Sequence, residues 1–433
     1  MIHTIASGEL PTVMLAAVTL PPETAARTAD SLSELADLAD TLGYSVVDQA
    51  VQTRNAPNPG TYMGSGKLEE MCQSIQQHDI GLVIFAHDLS PRQSQNIERL
   101  LGCMVWDHSQ LILEIFARHA RTAEARVQVE LARMQYMLPR LVGLWAHLDR
   151  ERGGIGTSRG MGEKQIQVDR RIVRSRITHL QKELKRIETE RKTQRKQRSN
   201  CFQAALVGYT NAGKSTLMNT IAGSSVLVAD KLFATLDATT RTLDGPFKPA
   251  ILLTDTVGFI KNLPHSLVAS FRSTLENVCE ADLLLHVIDV SHPEYETHIQ
   301  TTVRVLKEIG AEDIPRLVIF NKVDRSNLDE LGRLLLEKKY PGSICVSALA
   351  ADTRHIMVEK IKTHVRSGCI SRTIKLPYSN CEGLADFYAY SIVDNVDYRE
   401  DAIYIDCTIS PVMRRHFKEY LPALRKETQH GLA

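Results

Sequence analysis

The chain has 433 residues, of which 43% are hydrophobic and 24% charged, and its formal net charge at pH 7 is +1. This length exceeds one ordinary hydrophobic core, so several domains are expected, and the near-neutral charge argues against a uniformly basic protein. The eight cysteines are scattered singly without a C-x-x-C pair, which argues against a disulfide framework and a zinc site.

Residues 1–112 alternate short apolar runs with helical stretches. The apolar runs are VMLAAVTL, SVVDQAV, GLVIFAH and CMVWDH. This alternation predicts βαβ units and therefore an N-terminal α/β domain with a parallel sheet. The stretch LPTVMLAAVTL at 10–20 has neither a basic start nor a cleavage signal, so we interpret it as a buried strand. No apolar run reaches membrane-spanning length, and we expect a monomeric, cytoplasmic protein without a membrane span.

Residues 113–199 contain two helical patterns. Apolar residues recur at alternating spacings of four and three from Val127 to Leu148, where Pro139 is expected to kink the helix. The same spacing runs from Val173 to Ile187. Two such stripes, joined by the glycine-rich loop GGIGTSRGMG (153–162), predict an antiparallel helical hairpin whose stripes pack against each other.

The second helix of this hairpin is strongly basic. Between Lys164 and Arg198 there are 13 Lys and Arg residues against 4 Asp and Glu residues. Such a run is often a solvated helix face, but this density in a nearly neutral chain also indicates an anionic polymer as partner. The glycine-rich loop, with Arg152 and Arg159, is then expected to approach RNA phosphates, whereas the alternative is a plain flexible turn.

Residues 200–368 carry a second alternating α/β pattern with a nucleotide-binding motif. GYTNAGKS, Gly208 to Ser215, matches G-x-x-x-x-G-K-[ST] and stands between an apolar strand and a helix, as the motif requires. Its glycines allow backbone N–H groups to surround the phosphates at a helix N-terminus. Lys214 is expected to reach the β- and γ-phosphates, and the Ser215 hydroxyl is expected to bind Mg²⁺.

Three further motifs follow in order, each after a strand. DTVG (255–258) supplies an aspartate near Mg²⁺ and a glycine amide that can sense the γ-phosphate. In NKVD (321–324), the carboxylate can accept the N1 and N2 hydrogens of guanine, a donor pair that adenine lacks. The backbone of SAL (347–349) can contact guanine O6. Together they predict a GTP-binding domain. The predicted nucleotide-binding residues are Gly208, Tyr209, Thr210, Asn211, Ala212, Gly213, Lys214, Ser215, Asp255, Thr256, Val257, Gly258, Asn321, Lys322, Val323, Asp324, Ser347, Ala348 and Leu349.

Two other glycine-rich stretches fail the spacing of a phosphate loop. In TYMGSGKL (61–68), Thr61 stands where glycine is required and Leu68 stands where a hydroxyl must bind Mg²⁺. We interpret it as a turn before a helix. In GGIGTSRGMGEKQ, Ser158 replaces the first glycine and Gln165 follows the lysine, so this loop is not a phosphate loop either.

The residue after DTVG bears on hydrolysis. Many small GTPases place there a glutamine that orients the attacking water, but this chain has Phe259. The domain is therefore expected to hydrolyse GTP slowly until a partner orders its switches or supplies a group. Asn211 could help to bind K⁺ beside the phosphates, as in potassium-activated GTPases with a similar loop. For the switch threonine that completes the Mg²⁺ shell, spacing leaves Thr235, Thr239, Thr240 and Thr242 as candidates.

These motifs resemble those of the HflX family of translational GTPases. The resemblance rests on GYTNAGKS, LFATLDATTR, LLTDTVGFIKNLPHSLVASFRSTLE, HVIDVS and NKVD, with the N-terminal GTYMGSGKLEEM and the GGIG loop, and it covers nearly the whole chain. It implies docking on the large ribosomal subunit and its rRNA, GTP-dependent splitting of stalled or idle ribosomes, and GTP hydrolysis stimulated by the ribosome. It also favours Thr235 as the switch threonine, which makes Lys214, Thr235 and Gly258 the expected catalytic residues and Ser215 and Thr235 the Mg²⁺ ligands. By the same resemblance, nucleotide contacts extend to Phe233, Ala234, Thr235, Leu236 and Asp237.

The chain departs from the family pattern mainly after the glycine-rich loop. Where the family usually reads G-P-G-E-T-x-L-E-x-D-R-R, this chain has GMGEKQIQVDRR, and Ala238 replaces a proline of the switch. Two other functions stay open: a GTP-switched assembly or anti-association factor for the large subunit, and a GTPase with an RNA or protein target away from ribosomes.

The last region, residues 369–433, combines apolar strands such as DAIYIDCTISP with the helix MRRHFKEYL and predicts a small α+β domain. The expected architecture is therefore α/β: a P-loop GTPase domain (200–368) with an N-terminal α/β domain (1–112), a long helical hairpin (113–199) and this C-terminal module.

Overall fold

The computed structural model describes residues 11–141, 159–196, 201–223, 233, 239–243, 245, 247–261, 277–326, 328–381, 383–411, 413 and 417. The chain divides into two units. The first comprises residues 1–188, 229–237 and 262–272, and the second comprises 189–228, 238–261 and 273–433. The finer division into four domains, with boundaries at 112, 199 and 368, stays a prediction.

The first unit contains the parallel sheet expected from its alternating pattern. Its strands are β1 (Thr12–Thr19), β2 (Ser45–Thr53), β3 (Leu82–Phe85) and β4 (Met104–Trp106), in the order β2-β1-β3-β4. Its helices are α1 (Ala25–Thr41), α2 (Ser65–His78), α3 (Pro91–Leu101) and α4 (His108–His119). Central strand β1 is buried from Val13 to Val18, which confirms the interpretation of residues 10–20 as a buried strand.

Helix α3 shows how the sequence sets the limits of an element. Ser90 caps its N-terminus in a capping box with Gln93, and Pro91 occupies the first turn, where its missing N–H costs nothing. Gly102 ends the helix in the left-handed conformation. These local signals place the helix between β3 and β4, where Ile97 and Leu101 enter the core of the sheet.

The two helices of the predicted hairpin are α5 (Ala123–Met137) and α6 (Arg159–Lys196). They pack through the predicted stripes: Val127, Leu131 and Leu180 are buried together, with Met134, Ile177 and Leu184 against them. The guanidinium of Arg176 also forms two hydrogen bonds with the Glu130 carboxylate, at 2.7 and 2.9 Å.

The two helix ends have different outcomes. Helix α5 ends at Met137, residues 138–140 form a turn and Leu141 is again helical, so the helix is interrupted around Pro139, whose missing N–H cannot continue the hydrogen-bond ladder. Helix α6 begins at Arg159, so residues 159–162, predicted as part of the glycine-rich loop, are helical. Glycine destabilises a helix mainly in its interior, so glycines in the first turn are tolerated. Residues 142–158, with Arg152 and most of the glycine-rich loop, lie outside the described residues.

The second unit contains a six-stranded sheet in the order β10-β9-β8-β5-β7-β6. Its strands are β5 (Phe202–Val207), β6 (Thr239–Thr242), β7 (Ile251–Asp255), β8 (Leu283–Asp289), β9 (Arg316–Asn321) and β10 (Ile344–Cys345). Its helices are α7 (Lys214–Ala222), α8 (Tyr295–Glu308), α9 (Glu330–Lys339) and α10 (Thr353–Arg366). All neighbouring strands are parallel except β6, which runs antiparallel to β7. The carboxyl ends of β5, β7, β9 and β10 therefore meet at one edge, where open α/β sheets bind ligands.

The C-terminal part of the second unit is the expected α+β module. Strands β11 (Ile370–Leu376), β12 (Ile392–Tyr398) and β13 (Ile403–Ile409) form an antiparallel sheet in the order β11-β13-β12, with helix α11 (Gly383–Tyr390). Strand β13 alternates buried and half-buried residues, and its buried face packs with Phe387. Most of the predicted helix MRRHFKEYL lies outside the described residues.

Two further observations concern the chain as a whole. All eight cysteines are free thiols, as expected from their scattered positions. Among the described residues, no helix is both long enough and apolar enough to cross a membrane.

Candidate nucleotide-binding site

The phosphate loop connects β5 to α7 and is shaped by two glycines with positive φ. Gly208 has a φ of +149°, and a Cβ atom there would lie 2.2 Å from the carbonyl oxygen of Val287. Gly213 has a φ of +90°, and a Cβ atom there would lie 2.3 Å from the side-chain nitrogen (Nδ2) of Asn321. Both positions therefore require glycine for conformation and for space.

Lys214, the first residue of α7, is held inside this loop. Its ammonium group donates hydrogen bonds to the carbonyl oxygens of Gly208 at 3.2 Å and Tyr209 at 2.7 Å. Burial lowers the pKa of Lys214 to about 8; the Asp255 carboxylate opposes this shift and the Lys322 ammonium adds to it. At pH 7 the loop thus holds a desolvated cation, which would gain much from a phosphate.

Ser215 and Asp255 are in direct contact beside the phosphate loop. The Ser215 hydroxyl donates to the Asp255 carboxylate at 2.6 Å, although β7 brings that aspartate from forty residues away. Asp255 is only 2% exposed. A hydroxyl and a carboxylate are hard oxygen ligands of the kind that Mg²⁺ prefers, so this pair fits the ion that accompanies nucleoside phosphates. Next to it, the Thr256 hydroxyl donates to the Leu206 carbonyl at 2.6 Å and ties the end of β7 to β5.

Gly258 and Phe259 lie directly against the phosphate loop. The Thr210 amide donates to the Phe259 carbonyl at 2.8 Å, and the Phe259 amide donates to the Gly208 carbonyl at 3.0 Å. A Cβ atom on Gly258 would come within 2.8 Å of the Thr210 Cα and 2.9 Å of the Lys214 ammonium. Only glycine therefore allows this approach, which brings the two predicted catalytic residues Lys214 and Gly258 together.

The side chain of Phe259 is 2% exposed and belongs to the core cluster that includes Val278 and Val305. It packs the domain and carries no polar group that could orient a water molecule. This agrees with the expectation that position 259 contributes nothing to hydrolysis.

The base-recognition motifs meet at the other side of the loop. The side-chain NH₂ group of Asn321 donates a hydrogen bond to the Ala212 carbonyl oxygen at 2.9 Å. The side-chain oxygen of Asn321 accepts a hydrogen bond from the main-chain N–H of Ala348, also at 2.9 Å. Lys322, with a φ of +62°, forms an ion pair with Asp289 at 2.8 Å. One side chain thus joins the phosphate loop to the motifs NKVD and SAL.

The groups expected to contact guanine are accessible. Asp324 is exposed in the 3-10 turn Val323–Arg325, and Leu349 is 75% exposed. Two threonine hydroxyl groups form hydrogen bonds with the SAL backbone. The Thr353 hydroxyl donates to the Ser347 carbonyl at 2.6 Å, and the Thr220 hydroxyl donates to the Ala348 carbonyl at 2.7 Å. Asn211 is exposed with a φ of +57°, and Val257 is buried.

The switch residues are only partly described. Ala234, Thr235, Leu236 and Asp237 lie outside the described residues, so their roles stay predictions. Phe233 belongs to the first unit, where it is 3% exposed and packs edge-on against Phe116 at a ring distance of 4.8 Å. Of the competing threonines, Thr240 shares a hydrogen bond with Thr254 at 3.1 Å within the β6–β7 pair.

Sequence reasoning missed two groups beside the loop. Asp289, the partner of Lys322, ends strand β8 in the quoted segment HVIDVS, and its position at a strand end was a usable signal. His298 stacks flat on Tyr209, with ring centroids 3.8 Å apart. No local pattern marked that histidine, which lies in the first turn of α8.

Three family models match consecutive parts of the chain. Residues 29–117 match the family described as "GTP-binding GTPase N-terminal", and residues 119–198 match "GTP-binding GTPase Middle Region". Residues 203–322, which contain the phosphate loop and NK of NKVD, match "50S ribosome-binding GTPase".

Individual relatives span nearly the whole chain. The GTPase HflX of Magnetococcus marinus is 42% identical over 384 residues, which cover 88% of each chain. The GTPase HflX of Akkermansia muciniphila is 40% identical over 424 residues, covering 94% of this chain and 96% of that one. Among solved structures, a GTP-binding protein from Sulfolobus solfataricus in complex with GDP is 28% identical and covers 82% of this chain and 98% of that one, with a TM-score of 0.44.

Proposed function

The chain belongs to the HflX family of GTPases and hydrolyses GTP, and from this premise we propose that it binds the large ribosomal subunit and splits or rescues stalled or idle ribosomes. We propose that it acts as a cytoplasmic monomer and that the ribosome stimulates its GTP hydrolysis. Support for a ribosomal partner comes from the family description of residues 203–322 and from the basic helix α6.

The observation that carries the proposal is the buried Phe259. We propose Lys214 and Gly258 as the residues that bind the β- and γ-phosphates, whereas the residue after Gly258 is paired with the phosphate loop and packed in the core. The site is therefore expected to bind GTP, but position 259 has no glutamine that could orient the attacking water. An enzyme of this kind is slow by itself and gains rate when a partner orders the site, which suits a GTPase that acts only on the ribosome.

The same geometry supports the predicted nucleotide contacts. We propose that Lys214 and the loop amides bind the phosphates and that Asp324 accepts hydrogen bonds from guanine. Ser215, with Thr235 as proposed second ligand, would hold Mg²⁺, which neutralises charge on the phosphate oxygens when bound. Asn211, exposed at the rim of the loop, is the group that we propose for K⁺.

Helix α6 provides the proposed contact with rRNA. Arg171 and Arg174 are exposed and Arg170 is half-buried. Arg176 is less available, because it already binds the Glu130 carboxylate through two hydrogen bonds. Contacts between arginines and phosphates release counterions, so binding through this helix should weaken steeply as salt is raised.

Sedimentation of ribosomes in sucrose gradients tests the proposal. With the protein and GTP, we expect ribosomes to separate into subunits, and a nonhydrolysable GTP analogue should allow one round of splitting without turnover. Binding only to free large subunits would instead support the anti-association function. Absence of co-sedimentation at low salt, or of GTPase stimulation by purified large subunits, would contradict both.

The role of helix α6 needs a charge-matched control. Changing Arg170, Arg171 and Arg174 to Gln should reduce the salt dependence of ribosome binding, by about one unit of log–log slope for each lost phosphate contact. The matched control changes three exposed cations of the second unit, Lys338, Lys360 and Arg366, to Gln. Equal slopes for both variants would show that α6 only faces solvent.

A further inference from the structure

Tyr209 occupies a position that connects four parts of the second unit. Its carbonyl oxygen accepts a hydrogen bond from the Lys214 ammonium at 2.7 Å, so its main chain is part of the phosphate loop. Its backbone forms an isolated parallel β-bridge with Phe259. Its hydroxyl accepts the main-chain N–H of Lys261 at 2.8 Å. Its ring stacks on His298 of α8, at an interplanar angle of 7°.

The segment 258–261 is held at both ends by these contacts. The β-bridge fixes the backbone at Phe259, directly after Gly258. Two residues later, the Tyr209 hydroxyl fixes the backbone of Lys261, whose ammonium forms an ion pair with Glu294 just before α8. Tyr209 can hold this segment only if its own ring is fixed, and the stack on His298 provides that.

We infer that Tyr209 and His298 are positioning residues for GTP hydrolysis, which hold residues 258–261 so that the Gly258 amide stands where the γ-phosphate binds. In this proposal neither side chain needs to contact the nucleotide: both act through the backbone of Gly258, whose amide is the group expected to sense the γ-phosphate.

The electrostatic surroundings of His298 suit this role. Burial, with smaller contributions from His292 and Lys261, lowers the pKa of His298 to about 4, against the opposing effects of Glu294 and Asp289. The imidazole is therefore neutral at pH 7, and a neutral ring loses no solvation of charge when it stacks on Tyr209. Burial raises the pKa of Glu294, but the hydrogen bond and the charge of Lys261, together with the neighbouring histidines, more than offset this, so the pKa lies below its usual value. The ion pair is thus intact under the same conditions.

Plain packing is the competing explanation for a ring stack in a core. The two explanations differ for the Tyr209 hydroxyl: packing requires only the ring, whereas positioning requires the hydrogen bond to Lys261. A Tyr209→Phe variant keeps the ring and removes only that bond. It therefore separates the two explanations without opening a cavity.

The experiment compares nucleotide affinities and turnover without ribosomes, so its result is independent of the proposed ribosome splitting. For Tyr209→Phe we expect an unchanged Kd for GDP, and a Kd for a nonhydrolysable GTP analogue raised about three- to tenfold, as expected for one lost hydrogen bond. Intrinsic kcat should fall by a similar factor. The matched control is Tyr295→Phe on α8, whose hydroxyl has a long contact of 3.4 Å with the exposed Glu296 carboxylate; it should leave all three values unchanged.

Substitution of His298 tests the second residue of the pair. His298→Ala should raise the Kd for the GTP analogue and lower kcat, whereas His298→Phe, which restores an aromatic face, should recover most of both. Melting temperatures identify any variant that fails to fold. The inference is overturned if Tyr209→Phe behaves as the unchanged protein, or if His298→Phe is as impaired as His298→Ala while both remain folded.

Discussion

Two stretches of this chain place a Gly-x-Gly-Lys or Gly-Lys sequence at the start of a helix, and the structure gives them opposite environments. In TYMGSGKL (61–68), helix α2 already begins at Ser65, and Lys67 extends from its first turns to a surface ion pair with Glu70 at 2.8 Å. A Cβ atom on Gly66 would meet nothing within 4 Å. In GYTNAGKS (208–215), Lys214 is buried among loop carbonyls, and Gly208 is pressed against a neighbouring strand.

The comparison shows what distinguishes a phosphate loop from a similar sequence. Sheet position decides it: the second loop follows the central strand β5 and is in contact with Val287 of β8, with Asn321 at the end of β9 and with Gly258 after β7, whereas the first begins a helix beside edge strand β2. A buried lysine whose described hydrogen-bond partners are carbonyl oxygens is costly for the free protein and becomes favourable when phosphate binds.

The largest difference should come from removing each lysine. Lys214→Ala should weaken GDP and GTP binding about a hundredfold or more, because charged hydrogen bonds to the phosphates are lost. Lys67→Ala should leave both affinities unchanged. Titration with a fluorescent guanine nucleotide measures this, with circular dichroism as the check on folding. Weakened binding in both variants would mean that the two loops do not differ as described.

Substitution of the glycines should change stability in opposite directions. Gly208→Ala places a Cβ atom against the backbone of Val287 at a positive φ, and should destabilise the second unit by about 3 kcal/mol or more. Gly66→Ala adds a methyl group in open space within a helix, and should stabilise by about 0.5–1 kcal/mol. Urea unfolding monitored by circular dichroism gives both values. A tolerated alanine at position 208 would contradict the described packing.

The burial of Lys214 should also appear in the pH dependence of binding. Its pKa of about 8 means that the free protein loses this proton as the pH rises through 8, while bound phosphate keeps the lysine charged. GDP affinity should therefore be nearly constant below about pH 7 and fall about tenfold between pH 7 and 9, with proton uptake on binding. Calorimetry in buffers of different ionisation enthalpy measures both effects. Lys67→Ala should show the same profile as the unchanged protein, and a flat profile would rule out a depressed pKa.

The smallest effect should come from the surface ion pair of the first stretch. Glu70→Gln removes the partner of Lys67 and should lower the free energy of unfolding by only about 0.2–0.5 kcal/mol, because exposed i,i+3 pairs are weak. Repeating the urea titration in 1 M KCl should abolish even this difference. A loss above 1 kcal/mol would indicate that Lys67 has a structural role beyond a solvated pair.

Much of the fold could be predicted from local patterns. The apolar runs before GYTNAGKS, DTVG, NKVD and SAL predicted strands, and each motif lies at the end of one. The helical stripes predicted the packing of α5 on α6 at Leu131 and Leu180. The error was at an element end, where residues 159–162 of the predicted loop form the first turn of α6. The residue at which a helix begins or ends depends on several weak local interactions, so the spacing of apolar residues does not predict it.

The sequence by itself determined which groups the predicted site offers: a lysine and a hydroxyl that are expected to bind phosphate and Mg²⁺, a carboxylate that is expected to bind guanine, and a phenylalanine in place of the usual glutamine. Only the tertiary structure decided what surrounds these groups. The burial of Lys214, the Asn321 bridge to Ala212 across 109 positions and the stack of Tyr209 on His298 all join distant segments. Such contacts depend on the order of strands in the sheet, and no local spacing of residues encodes that order.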